Sequence, residues 1–301
     1  MTLPSAPDKP LASPGKTLSP EFQKALGRVT EISSLPEVTA KIVAVVEDPK
    51  ASARDIHDVV RTDPALAAKV LKIVNSAFYG LPAQVASLDR AILMLGLSAI
   101  KNLALATSLS RLIKPGAISD QFQSRDLWQH CVAVAVAARL IAQAGKVLPP
   151  DEAFVAGLVH DMGLIVIQQL YPEKMKQVAE ECHAKPQDFC ATETRIIGAD
   201  HETFGGALAT KWRFPPGVRH AIGYHHDPNL LQQDFKRIAA AIHLADTLCA
   251  HARLGFWLTA QLQQPVEWML ELNAVSPAVL EQVTAELPAR YAEVETILGT
   301  V

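Results

Sequence analysis

The sequence predicts an all-α protein of two helical subdomains, and three observations carry that prediction. From Glu21 to Ile113, apolar residues recur every three to four positions between Pro, Gly, Asp and Ser breaks, the period of short amphipathic helices rather than strands. From Asp126 to about His251 the apolar runs become continuous, as in Val132 to Ala138 and Ile238 to Ile242, which marks helices buried on all sides. Between the two stretches, Lys114-Pro115-Gly116-Ala117 reads as a linker.

A chain of 301 residues, 49% of them apolar, is long enough to bury a sizeable core. The formal net charge of -3 gives no electrostatic reason to expect nucleic acid or an anionic membrane as a partner. The four cysteines, Cys131, Cys182, Cys190 and Cys249, form no C-x-x-C pair and no disulfide framework, which suits a reducing cytosol. Neither a secretory signal nor an uninterrupted apolar run of about 18 residues is seen, so the expectation is a cytoplasmic protein that does not span a membrane.

Residues 1–20, dense in Pro and Ser, are expected to be a flexible tail. The first subdomain, residues 21–113, opens with a helix at Leu35-Pro36 that faces Val38, Ile42, Val45 and Val46 inward. Ser52 and Asp55 form a capping box for the next helix. Asp63-Pro64 is an N-cap followed by proline at the first helical position, directing Leu66, Val70, Ile73 and Val74 to the core. Ser87 to Leu95 and Ser98 to Ile113 flank a Gly96 turn and have helix-turn-helix spacing. The second offers only Lys101 and Arg111 as cations, so ordinary packing is expected and DNA is not. The second subdomain covers residues 118–253, and residues 254–301 form C-terminal helices on the core without identifiable chemistry.

Polar residues stand where an apolar helix should exclude them. His160-Asp161 interrupts the apolar run Ala156 to Leu164. Asp126 and His130 lie one helical turn apart, with Ala133, Ala137 and Ala138 following on that side. His201 starts a glycine-containing helix, His225-His226 ends the segment from Val218 to Gly223, and Asp246 lies among Ala245, Thr247 and Leu248. Any one of them has an ordinary reading as a hydrogen-bonded core residue, the class to which His57, His183, His220, His243 and His251 are assigned. As a set, imidazoles and carboxylates on several buried helices suit one or two divalent transition ions among Fe, Mn, Co, Ni and Zn. Five imidazoles and two carboxylates exceed the needs of one ion, and two adjacent ions serve phosphoester hydrolysis.

In order and helical context these residues resemble the HD superfamily of metal-dependent phosphohydrolases. The resemblance implies an HD-type bundle with a metal-ligand core in the second subdomain. It makes His130, His160, Asp161 and Asp246 ligands of a basic site, Asp161 also the catalytic candidate, and assigns His201, His225 and His226 to a second ion; Asp126 is a further candidate ligand. The similarity is closer to the HDOD (HD-related output domain) branch. It is carried by Leu35-Pro36 with Val38, Asp63-Pro64-Ala65-Leu66, Asn75-Ser76-Ala77, Ala91-Ile92-x-x-Leu95-Gly96, Leu127-Trp128-x-His130, Gly157-Leu158-x-His160-Asp161-x-Gly163 and the stretch from His201 to Trp212, within roughly residues 21–251. HDOD proteins are helical bacterial signalling modules, so the resemblance implies a regulatory role through a protein partner. The alternative is an active phosphohydrolase or phosphodiesterase with a nucleotide or phosphoester ligand. HD-GYP cyclic-dinucleotide phosphodiesterases carry Gly-Lys after the doublet and Gly-Tyr-Pro after the later His pair. Here Leu164 follows Gly163, and Asp227-Pro228-Asn229 follows His226.

Overall fold

The computed structural model describes residues 37–76, 79–109 and 115–298. The expected tail over residues 1–20, the helix start at Leu35-Pro36, and Lys114 of the linker lie outside the described residues. Helix α1 (Glu37–Glu47) buries Ile42, with Val38, Val45 and Val46 partly covered. Asp55 Oδ2 accepts from the Ser52 amide at 2.7 Å to open α2 (Ala53–Val60), as the capping box predicts. Asp63 Oδ1 accepts from Leu66 N at 3.0 Å to open α3 (Pro64–Val74), which buries Leu66, Val70, Ile73 and Val74. Gly96, at φ +87°, turns the chain from α4 (Leu88–Leu95) into α5 (Leu97–Leu109). Nearly all of α5 from Ala99 onward is buried, so it lacks the exposed face that a groove-reading helix needs.

The second half runs α6 (Ser124–Gly145), α7 (Pro150–Val159), α8 (Met162–Leu170), α9 (Pro172–Ala184), α10 (Phe189–Ile197), α11 (His201–Lys211), α12 (Pro216–Tyr224), α13 (Gln233–His251), α14 (Glu267–Leu272) and α15 (Pro277–Leu298). Among the described residues there is no strand, only an isolated bridge between Ala117 and Gln123. Helix α6 is the central post, with α7, α13 and α15 packed around it. Its run Val132 to Ala138 is wholly buried, and the small side chains let the neighbours approach closely. Trp128 Nε1 donates to the Leu298 carbonyl at 2.8 Å, tying the end of α15 to this post. The halves share one apolar core, and α5 packs on α7. At that seam Arg139 lies 4.3 Å over the Tyr79 ring and pairs with Asp151.

Two segments, Ser124–Gly145 and Pro150–Leu170, do reach the length and apolarity of a membrane span, which the sequence reading did not anticipate. Their most apolar stretches are each 78% buried inside the fold, so the apolarity serves the core.

Glycine sets the closest helix contacts. A Cβ at Gly163 would lie 1.9 Å from the His201 carbonyl oxygen, and one at Gly157 would lie 2.8 Å from Ala135 Cα. We expect Gly163→Ala to force α8 off α11 and to destabilise the fold by about 1–3 kcal/mol. Gly206→Ala is the contrast, since its Cβ would meet only Gly223 Cα at 3.6 Å. There the helix propensity of alanine should leave stability unchanged or raise it by up to about 1 kcal/mol. Denaturant midpoints of the two variants check this, and equal effects would contradict it.

Candidate metal centre

Six of the seven residues that the sequence set brings forward converge with no solvent exposure: His130, His160, Asp161, His201, His225 and Asp246. The seventh, His226, is half-buried at the edge. Helices α6 and α13 supply His130 and Asp246 from their interiors, and the others sit at helix ends. His201 is the first residue of α11, whose N-cap Asp200 accepts from Thr203 N at 2.9 Å. His225 and His226 follow directly on α12.

His160-Asp161 does not lie inside one helix, as its apolar setting suggests. The doublet is the junction between α7 and α8, and Asp161 adopts φ -94°, ψ 16°. That bridge-region turn replaces the 100° step of a continuous helix and lets both side chains enter one cavity.

Asp161 links two groups of ligand-type atoms. Its Oδ2 lies 3.3 Å from His160 Nε2 and 3.9 Å from His130 Nε2. Its Oδ1 lies 3.3 Å from His201 Nε2 and 3.5 Å from His225 Nε2. Asp246 Oδ1 closes the first group at 2.9 Å from His130 Nε2 and 3.9 Å from His160 Nε2. His226 Nε2 closes the second at 2.9 Å from His201 Nε2.

The outer nitrogens show what the inner ones offer. Carbonyl oxygens only accept, so each Nδ1 facing one carries the proton: His160 toward Gly157 at 2.7 Å, His130 toward Leu254 at 3.1 Å, and His225 toward Ala221 and Ile222 at 3.2 Å. The Glu193 carboxylate holds the His201 Nδ1 proton at 2.6 Å. In their neutral forms the four imidazoles therefore point Nε2 lone pairs inward at two carboxylates. His160 Nε2, His225 Nε2, both Asp161 oxygens and Asp246 Oδ2 are buried without a hydrogen-bond partner. Neutral imidazole and carboxylate acceptors converging on one another fit a cation, which is supplied either by protons on the imidazoles or by a metal, and the N/O donor set fits a divalent transition ion.

Burial opposes the charge on Asp161, yet His160, His225 and His201 outweigh it and hold the carboxyl well below its usual range. Asp246 is lowered in the same way by His130 and His160. His160 is raised against its own burial by Asp161 and Asp246. For His201, burial is outweighed by Glu193, and its pKa rises to about 10. Burial takes His225 down to about 4, and burial with the adjacent His225 and His201 takes His226 well below normal.

Asp126, the remaining candidate, does not join them. Its carboxylate accepts from the Gln123 amide at 2.6 Å and caps α6, because first-turn amides compete for a carboxylate that helical periodicity alone would align with His130. His243 holds the site from outside, donating from Nδ1 to the His225 carbonyl at 2.7 Å.

Three residues that the sequence reading passed over support the ligands. Glu193 fixes the His201 tautomer, Glu202 Oε1 accepts from the His226 amide at 2.8 Å, and the Gln263 side chain meets His226 Nδ1. Each sits in a polar stretch where nothing sets it apart. Cys190 also lies with Glu193 and His201 in a group whose ligand-type atoms are within 4.8 Å of one another. Solvent reaches the cluster's edge through a pocket of about 140 Å³ where His226 is flanked by Asp188, Cys190, Thr259 and Gln263.

Residues 32–228 match the HDOD domain family. Among curated proteins, an uncharacterized protein of Treponema pallidum (strain Nichols) is 26% identical over 223 residues, 73% of this chain, and the chain spans 42% of that relative's length. A Shewanella amazonensis SB2B structure named "Putative phosphohydrolase" is 23% identical, with a TM-score of 0.71, covering 91% of this chain and 97% of its own. A Marinobacter aquaeolei VT8 structure named "Putative signal transduction protein" is 23% identical, with a TM-score of 0.75, covering 96% of this chain and 67% of its own. Two names of different function on equally similar folds show that the fold does not choose between them.

If the cluster takes an ion, Mn²⁺ or Co²⁺ at one hundred times its Kd should stabilise the protein by about 2.7 kcal/mol, and Asp161→Ala should abolish that gain in thermal melts. Glu193→Gln, which touches only the far side of His201, should weaken binding about 10–100-fold in a metal titration. An unchanged affinity would remove Glu193 from this role.

Proposed function

The chain belongs to the HDOD family, and on that premise we propose a regulatory module that holds one or two divalent transition ions in the His/Asp cluster and acts through contacts with a signalling partner. The observation that carries this reading is the absence of a phosphate clamp around a complete ligand set. Every ion-pair partner of Asp161 and Asp246 among the described residues is a histidine. No Lys or Arg lines the pocket beside His226. Leu164, where the phosphodiesterases carry lysine, is fully buried in the core. A pocket of about 140 Å³ is also well below the roughly 300–1,000 Å³ of drug-sized ligand sites.

A divalent ion supplies two things to such a site: positive charge that offsets the buried carboxylates, and Lewis acidity. The chain's own residues do the rest. Gly157, Leu254 and Glu193 hold protons on the outer nitrogens, Asp161 faces both groups, and the apolar walls from α6 and α8 exclude water. Nothing among them is placed to orient a phosphoryl group or its leaving oxygen, where transition-state stabilisation would be required.

A second reading, a metal-dependent phosphohydrolase on a nucleotide or phosphoester, is favoured by one observation. The ligand set is complete, and His226 meets both the cluster and the pocket, so a small ester has a route to it. In that reading Asp161 has the catalytic role.

Elemental analysis of protein purified without chelator should find at least one transition ion per chain; protein that stays metal-free after anaerobic Fe or Mn loading would sink the metal assignment. A screen of phosphomonoesters, nucleotides and cyclic dinucleotides should show no turnover above background. Hydrolysis that disappears in both Asp161→Ala and His226→Ala would establish the second reading instead.

A further inference from the structure

The C-terminal helices leave an apolar groove of about 610 Å³ open to solvent, formed by Leu248 of α13, Pro265, Leu270 of α14, and Pro277 and Leu280 of α15, with Glu281 on its lip. It lies outside the matched family region, residues 32–228, and none of the metal-site residues lines it. Next to Pro265 in the chain, Val266 is a further exposed apolar side chain, at 41%. Shallow apolar channels between helices of this size suit the apolar face of another helix.

The charge around the groove has one sign. From Leu254 to Ala289 there is no Lys or Arg, while Glu267, Glu271, Glu281 and Glu286 are all exposed. No Lys or Arg lines the groove, and the cations that flank this stretch are engaged elsewhere: Arg253, just after α13, lies 4.7 Å over the Trp257 ring, and Arg290 of α15, five residues after Ala285, pairs with Glu293 at 3.8 Å. In the first turns of α13, about three turns from Leu248, Lys236 lies 4.7 Å over the Trp268 ring and Arg237 Nε donates to the Leu272 carbonyl at 3.1 Å.

We propose that this groove is a docking site for an amphipathic helix of a partner protein, apolar on one face and flanked by Lys or Arg. The proposal rests on the reading of the chain as a module that works through protein contacts, and it gives that reading a location and a partner chemistry. Leu248 follows Asp246 by two residues on α13, about 200° around the helix. The side of α13 that floors the groove is thus opposite the side that holds the buried carboxylate.

The probe is a fluorescent 14-residue Leu/Lys amphipathic helix, with Leu/Glu and Leu/Ser counterparts of the same apolar pattern, titrated against the full chain by anisotropy. The Leu/Lys peptide should bind one to one and weaken as salt is raised, and the Leu/Glu peptide should bind at least tenfold more weakly. Ala285→Trp fills the groove from an exposed position without changing net charge and should cost at least tenfold. Glu281→Gln should cost about threefold and flatten the salt dependence, while Glu173→Gln on α9, away from the groove, should do neither. Thermal melts of each variant verify folding.

Equal binding of the Leu/Lys and Leu/Ser peptides would overturn the basic-partner assignment. Indifference to Ala285→Trp in a folded variant would overturn the groove itself. A dimer by sedimentation that Ala285→Trp dissociates, with no peptide binding, would give the groove to a second copy of this chain and also overturn the proposal. Loss of the metal assignment or detection of turnover leaves these titrations standing, and failure of the peptide leaves the metal measurements standing.

Discussion

Two carboxylates buried among imidazoles, with no Lys or Arg paired to them among the described residues, are the constraint on which the centre of this protein depends. Moving an ionised carboxylate out of water costs several kcal/mol even after the surroundings relax, so Asp161 and Asp246 require positive charge within a few Å. Without an ion, that charge must come from protonated imidazoles. His201, supported by Glu193, and His160, supported by Asp161, hold protons more readily than a free histidine, while His225 and His226 hold them less readily. With an ion, protons are released and the same atoms become ligands. Either way the members compensate one another, and removing one leaves its partners uncompensated.

The helix arrangement follows from keeping that unit together. His130 and Asp246 come from two long helices whose buried faces are rich in alanine, with valine added on α6, so their backbones lie close enough for Nε2 and Oδ1 to stand 2.9 Å apart. The junction at His160-Asp161 must then enter between them. Gly157 lets α7 lie against Ala135, Gly163 lets α8 meet the start of α11 at His201, and Gly255, at φ +66°, lets the chain fold back onto the backbone at Asp126 and His130. A methyl group at any of these positions would push a ligand-bearing element outward.

Much of this was legible in the sequence because a charged or imidazole group inside an apolar run is conspicuous. His130, His160-Asp161 and Asp246 stand in such runs, and the all-α architecture follows from the same runs and from caps such as Asp63. What was not legible depends on competition between local and distant partners. Asp126 has the right helical spacing to His130, but it belongs to a first turn whose free amides claim it. Glu193 and Gln263 gain their roles only when α10 and the segment after α13 fold against His201 and His226, contacts that no local pattern encodes. The helix break at His160 was hidden because the flanking run has no proline to announce it.

The same packing bears on holding versus turnover. Full burial of six of the seven ligand-type residues favours retention of an ion, since the outer nitrogens of His130, His160, His201 and His225 are each fixed by a carbonyl or carboxylate. Hydrolysis asks for something different: room for the ester, donors aimed at developing charge, and a route for the leaving group. Here the route narrows to the side of His226, whose Nδ1 meets the Gln263 amide; turning that amide over decides whether Nε2 presents a proton or a lone pair to the cluster. A single adjustable ligand at the mouth of an otherwise fixed site suits exchange or sensing of an ion at that position. Among the described residues that line the pocket beside it there is no Lys or Arg to engage a phosphate, whereas the C-terminal groove is an open apolar surface lined by residues of α13, α14 and α15.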